Sequence, residues 1–249
     1  MIRKTIIATL LIALALSPLS ACSNNAQGTP DESVTAEETT VEETTVEETT
    51  VEETLADKYL KFGESKELIS TKTVDVLVDT FNKVYGDICD FFNDGKMLKV
   101  TYVIDPDYDG VAYASGGKIV LSKKWIKQNP NDTDCMTHEL VHIAQNYGSN
   151  VCPGWITEGL ADYGRAKFGL NNKKGGWSLP KYDKSQKYTD SYRVTAAFFI
   201  WLEENVDETL PKDLNDTIKA GEYRNAYFVN KTGKKIDELW QMYADASKK

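Results

Sequence analysis

The sequence predicts an α+β domain in which an N-terminal helix and a small antiparallel β-sheet precede a mainly helical part. Three observations point to it: a long amphipathic stretch at 71–93, apolar and β-branched segments between 96 and 122, and helical periodicity from 133 onward. In the first stretch Val74, Leu77, Val78, Phe81, Val84, Tyr85, Ile88 and Phe92 recur at helical spacing and share one face. Residues 96–104 (KMLKVTYVI) turn apolar and β-branched toward their end, the pattern of a strand. Residues 110–115 and 118–122 flank Gly116-Gly117 and read as a hairpin. Helices are expected at 133–147, 155–168, 190–205, 207–219 and 234–246, with the glycine- and asparagine-rich run 169–176 as a loop. Asp105-Pro-Asp107-Tyr-Asp109-Gly110 is similar to the first half of a calcium loop, but Gly116 stands where the twelfth-position glutamate belongs, so a polar turn is expected.

The 249 residues are 41% hydrophobic, enough for a packed core and too many for a wholly disordered chain. A formal net charge of −9 argues against nucleic acid as a partner, because such binding needs basic surface. The distribution of that charge matters more than its sum. Residues 1–21 hold two bases and no acid, residues 22–57 hold eleven acids and no base, and residues 58–249 carry 27 of each. The body of the protein is therefore neutral, and the acidity belongs to one short segment.

Residues 1–21 combine a basic start, an apolar run and small residues, the layout of a secretory signal peptide. Leu19-Ser20-Ala21-Cys22 resembles the lipobox of bacterial lipoproteins, in which the cysteine becomes the first mature residue and carries a diacylglycerol. Two acyl chains suffice for stable anchoring, so lipidated Cys22 would hold the exported chain to the membrane at the bacterial cell surface. Residues 22–57 contain EETTV blocks with a period of five, which matches neither helix nor strand. Charge repulsion and a shortage of apolar residues make this segment an expected disordered stalk. The third region, 58–249, is the expected catalytic domain, acting as a monomer. Its cysteines are Cys89, Cys135 and Cys152, so at most one disulfide can form within it. Cys135 and Cys152 are the candidate pair; three small buried thiols are the alternative.

The chemistry sits in His138-Glu139-Leu140-Val141-His142. Histidines four apart on a helix lie one turn apart on the same face and can aim at one ion. A glutamate directly after the first histidine faces the open side of that ion, where it can take a proton from water. Both of the chain's histidines fall inside this motif, while Met136, Leu140, Val141, Ile143 and Ala144 remain for packing. A catalytic zinc needs a third protein ligand and an open position. No third histidine exists, and Gly148 stands six residues beyond His142, which excludes the metzincin pattern. The third ligand must be oxygen or sulfur. On a helix after Pro153-Gly154, Glu158 and Asp162 would lie one turn apart on one face. One of them could bind the metal while the other hydrogen-bonds a ligand histidine. Cys135 and Cys152 are weaker candidates.

The motif followed by Glu-x-x-x-Asp on a second helix resembles the gluzincin arrangement. That resemblance implies Glu158 as third ligand and Asp162 as the partner of His138; the aspartate-zincin arrangement would make Asp162 the ligand instead. More widely, HELVHIAQ, PGWITEGLADYGR, SYRVTAAFFIWLE and TGKKIDELWQMY, with VAYASGGKIVLS upstream, resemble the basic secretory protein family of plant and bacterial zinc metallopeptidases over most of residues 70–245. The resemblance implies a zincin-like fold, one Zn2+ per chain, and hydrolysis of a peptide or protein substrate with Glu139 as general base. Tyr192 matches the family's tyrosine at the start of a later helix and could donate to the oxyanion. Ala112, Tyr113 and Ala114 could receive an extended peptide by strand addition. Of the tryptophans, Trp177 in the glycine-rich loop is the expected cleft residue, with Trp155, Trp201 and Trp240 in the core. The alternative from another class is a non-catalytic surface lipoprotein that binds envelope or host material and uses its metal for structure.

Overall fold

A computed structural model describes residues 52–149 and 151–248. The signal peptide, Cys22 and nearly all of the EETTV repeats lie outside the described residues. The folded part begins before Lys58, in the last residues assigned to the stalk. Helix α1 (Leu55–Tyr59) opens with a capping box in which Thr54 Oγ1 accepts from the Asp57 amide and the Asp57 carboxylate accepts from the Thr54 amide. Ala56 is buried, and its amide donates to Asn82 Oδ1 at 2.7 Å.

Strand β1 (Leu60–Phe62) leads to helix α2 (Thr71–Asn93), whose predicted apolar face is buried from Val74 to Phe92. The Ser70 hydroxyl caps its start, accepting from the Thr73 amide, and Asp94 in the left-handed region ends it. Strand β2 (Val100–Asp105) starts four residues later than its apolar composition suggests. The cause is Tyr85, whose hydroxyl donates to the Leu98 carbonyl and accepts from the Leu98 amide, so that residue's backbone is held by α2. Strands β3 (Ala112–Ser115) and β4 (Lys118–Ser122) form the expected hairpin, closed by Gly116 and Gly117 at φ 55° and 77°. The acidic run before it folds as a polar turn: Asp105 Oδ1 accepts from the amides of Asp107 and Tyr108.

The sheet is mixed, which corrects the antiparallel expectation. Its order is β1-β2-β4-β3, with β1–β2 and β2–β4 parallel and only β3–β4 antiparallel. The hairpin's outgoing strand takes the free edge, so its return strand β4 meets β2 in the parallel sense. β1 supplies the second parallel pair and, at three residues, is too short to carry a period.

Short helix α3 (Lys123–Gln128) follows the sheet. Then come α4 (Cys135–Gln145), α5 (Gly154–Phe168), α6 (Tyr192–Asn205), α7 (Leu210–Lys219), α8 (Tyr227–Thr232) and α9 (Ile236–Ala246). The five long helical predictions hold within three residues at each end; α1, α3 and α8 were too short to read. All three cysteines in these elements and their connections are free thiols, so the candidate Cys135–Cys152 bond is not formed.

Two glycines set how closely α5 packs. A Cβ on Gly164 would stand 2.5 Å from Val141 Cγ2 on α4 and 3.0 Å from Phe92 on α2. A Cβ on Gly159 would stand 2.3 and 2.7 Å from Thr195 Cγ2 and Cβ on α6. Thr195 cannot yield easily, being fully buried with its hydroxyl donating to the Tyr188 carbonyl at 2.6 Å. Gly159→Ala gains about 1 kcal/mol of helix propensity, whereas overpacking costs about 1–3 kcal/mol. The overlap with β-branched Thr195 places it at the upper end. The variant is expected to lose about 1–2 kcal/mol of stability, measured as a lower denaturant midpoint with an unchanged slope; an equal or higher midpoint contradicts this packing.

Candidate active site

Helix α4 is buried along almost its whole length, and His142 is its only partly open residue. Its polar groups must therefore be partnered. Thr137 Oγ1 donates to Asp134 Oδ1 at 3.1 Å, and the Asp134 carboxylate also accepts from the Asn171 amide, which ties the glycine-rich loop to the start of the helix.

Both histidine rings are fixed through Nδ1. His138 Nδ1 lies 2.6 Å from Asp162 Oδ1 on α5, and His142 Nδ1 lies 3.0 Å from Gln145 Oε1 on its own helix. With those nitrogens occupied, the Nε2 atoms face each other at 3.1 Å. One Glu158 oxygen completes a triangle, 3.3 Å from His138 Nε2 and 3.4 Å from His142 Nε2. Glu139 is also close, its carboxylate within 4.8 Å of the ring nitrogens, and His138, Glu139 and His142 form a group able to hold a metal ion. Glu158 makes the tighter approach. Three acceptor atoms this close repel unless a proton or a cation sits among them.

The charges respond to this crowding. Burial alone would lower the pKa of His138, but hydrogen bonds with Asp162 and Glu158 outweigh it and push the ring up to about 10. Burial works against the Glu158 charge too, yet its hydrogen bonds to both rings hold it far below the usual carboxylate range. Glu139 goes the other way. Burial raises it, the charges of His138 and His142 offset part of the rise, and a hydrogen bond from the Ala114 amide pulls it down.

These groups line a cavity of about 850 Å³. Ala112, Tyr113 and Ala114 form one wall, on the sheet's free edge. The Ser122 amide donates to the Val111 carbonyl, so Val111, Tyr113 and Ser115 pair toward β4 while the backbone groups of Ala112 and Ala114 point away from the sheet. Tyr192, 53% exposed, stacks on His138 with ring centroids 6.1 Å apart. The Glu158 charge, then burial, raises its phenol pKa. Trp177 lines the cleft as expected, and Trp125, Asp132, Arg165 and Gln145 join the site without having been read from the sequence. Gln145 alone had a local signal, three residues after His142 on the same helix. Neither cysteine joins the donors: Cys135 Sγ donates to the Asp132 carbonyl, with burial pushing its thiol well up, and Cys152 Sγ lies 3.3 Å from Thr157 Oγ1.

Residues 44–243 match the family described as "Peptidase of plants and bacteria", so the chain belongs to this family, the basic secretory proteins. No curated protein and no solved structure matches it.

With its pKa near 10, His138 of the metal-free protein is protonated at neutral pH and must lose that proton to bind a cation through Nε2. Binding of a divalent metal is therefore expected to release about one proton per chain at pH 7 and to tighten as pH rises toward 10. Calorimetry in buffers of different ionisation enthalpy measures the release; a pH-independent affinity with none contradicts it.

Proposed function

We propose that this member of the peptidase family hydrolyses peptide bonds at a zinc ion held by His138, His142 and Glu158, on a zincin-like domain. The donor triangle carries the reading. Zinc bonds of about 2.0–2.1 Å meeting at tetrahedral angles place ligand atoms about 3.3 Å apart. The sides of 3.1, 3.3 and 3.4 Å fit one face of such a shell. The ring contacts agree, because outward hydrogen bonds from both Nδ1 atoms leave the Nε2 lone pairs for the ion. In this assignment Asp162 orients His138 and leaves Glu158 as the ligand.

Zinc in that position supplies a Lewis acid that polarises the substrate carbonyl and makes water more acidic. The remaining work falls to the chain. Glu139 takes the proton of the attacking water and delivers it to the leaving amine, a role its raised pKa suits. The Tyr192 hydroxyl donates to the carbonyl oxygen as it gains charge. The outward backbone groups of Ala112 and the Ala114 carbonyl hold an extended substrate as an added strand. Lipidated Cys22 and the acidic stalk display this domain outside a bacterial membrane, and it acts there as a monomer. A purely structural metal site would call for a fourth closing ligand; both cysteines hydrogen-bond elsewhere, which favours the catalytic reading.

Glu139→Ala is expected to keep one zinc per chain while peptide hydrolysis falls by roughly 10²–10⁴-fold. Metal analysis beside a peptide-library assay decides it, and undiminished turnover in that variant removes Glu139 as the base. Tyr192→Phe is expected to lower kcat by roughly 10²-fold with little change in KM; a change confined to KM would assign the phenol to substrate binding.

A further inference from the structure

The cleft continues past the metal group into a recess that the hydrolytic chemistry leaves unused. Arg165 follows Glu158 by seven residues on α5, two helical turns, so it shares that face about 10 Å further along. Across from it lie Asp132 and Cys135, with Trp125 and Trp177 as apolar walls of the same cavity.

Arg165 is only 5% exposed. Its Nη2 donates to Asp132 Oδ1 at 2.5 Å and its Nε to Asn172 Oδ1 at 2.9 Å. The guanidinium lies 4.5 Å from the Trp177 ring centroid, and Trp125 Nε1 donates to the second Asp132 oxygen at 2.9 Å. A guanidinium has five N–H donors. Among the described residues, none accepts from Nη1. A nine-tenths buried charged group is thus held rigidly on three sides, with unused donors on a residue that lines the cavity. Nη1 is not among the buried atoms that lack a partner, so its N–H groups open onto the cavity, where a ligand oxygen can accept from them in place of water.

We propose that this recess selects a substrate side chain ending in an oxygen acceptor, glutamate or glutamine, next to the scissile bond. The proposal rests on the peptidase reading. The two tryptophans contact the methylene stem, and Arg165 Nη1 donates to the terminal oxygen. The Asp132 ion pair offsets the guanidinium charge, so an amide oxygen is accepted beside a carboxylate. Methionine, of similar length, leaves Nη1 unpaired, and lysine sets donor against donor. A site built to hydrogen-bond its substrate discriminates strongly against an analogue lacking the partner.

The test uses zinc-loaded full-length protein and peptides carrying Glu, Gln, Met or Lys at either position flanking the cleaved bond. At one of these positions kcat/KM for Glu and Gln is expected to exceed that for Met and Lys by roughly tenfold or more. Arg165→Gln is expected to bring the Glu-to-Met ratio toward one. Equal turnover of all four residues at both positions, or a ratio unchanged in a folded variant, overturns the proposal. Because Arg165 is buried and its replacement risks the fold, calorimetric binding of the same peptides to Glu139→Ala gives a second measurement that needs neither Arg165 replacement nor turnover. There Glu and Gln peptides are expected to bind at least roughly tenfold more tightly than the Met peptide, and equal or absent binding overturns the recess. If wild type cleaves none of the peptides, the peptidase reading fails, and the binding order still decides the recess.

Discussion

The site depends on the close crossing of α4 and α5. Three donor atoms from two helices converge within 3.4 Å, and a hydrogen bond of 2.6 Å joins the same helices one turn away. Side chains as short as histidine, glutamate and aspartate reach that far only if the backbones are close, and Gly164 against Val141 permits it. Gly159 plays the matching part toward α6, which carries Tyr192 one turn before Thr195. The donor triangle, the ring orientation and the phenol position therefore share one packing constraint. A methyl group in either interface would push against buried side chains rather than solvent.

Within that geometry two glutamates acquire opposite chemistry. Glu158 touches both imidazoles and is held ionised. Glu139, one residue after His138, is buried beside the edge strand and has its proton affinity raised. Environments that push the pKa values of neighbouring carboxyls apart suit them to different work, and in the proposed mechanism the lower one would bind the metal and the higher one would move the proton. Adjacency in sequence accounts for this. Successive helical residues diverge by about 100°, so Glu139 cannot share the direction of His138 and faces the strand instead.

The helices and the chemical motif were legible because each is local. His138, His142, Glu158 and Asp162 are related by spacings of four, and a helix converts such spacing into a shared face. What was missed is tertiary. Nothing local in KMLKV announces that a tyrosine thirteen residues earlier will hold the Leu98 backbone, and three residues cannot reveal β1 or the parallel sense it brings. Asp132, Arg165 and Asn172 belong to one hydrogen-bonded group although 33 residues separate the first two. Arg165 does share the spacing of Glu158 and Asp162, yet an arginine in the last turn of a helix reads equally well as a dipole partner. Only the fold shows it buried between Asp132 and Trp177.

At Tyr192 the backbone is strained while the side chain stays half exposed. Ser191 stands at φ 65°, ψ −177°, a region essentially reserved for glycine, and Tyr192 itself at φ 47°. Such conformations cost about 1–3 kcal/mol each and persist only where the surroundings over-determine them. Here the surroundings are the rest of α6, fixed against α5 by Thr195 and Gly159 and to the preceding turn by the Thr195–Tyr188 hydrogen bond. A relaxed helix start would cost less. The strained one keeps a large aromatic side chain half exposed, stacked on His138 and within the field of Glu158. No packing gain explains that arrangement, because an exposed ring buries little. The oxyanion role proposed for its hydroxyl would account for it, and the same tight α5–α6 contact that stabilises the core keeps the strain in place.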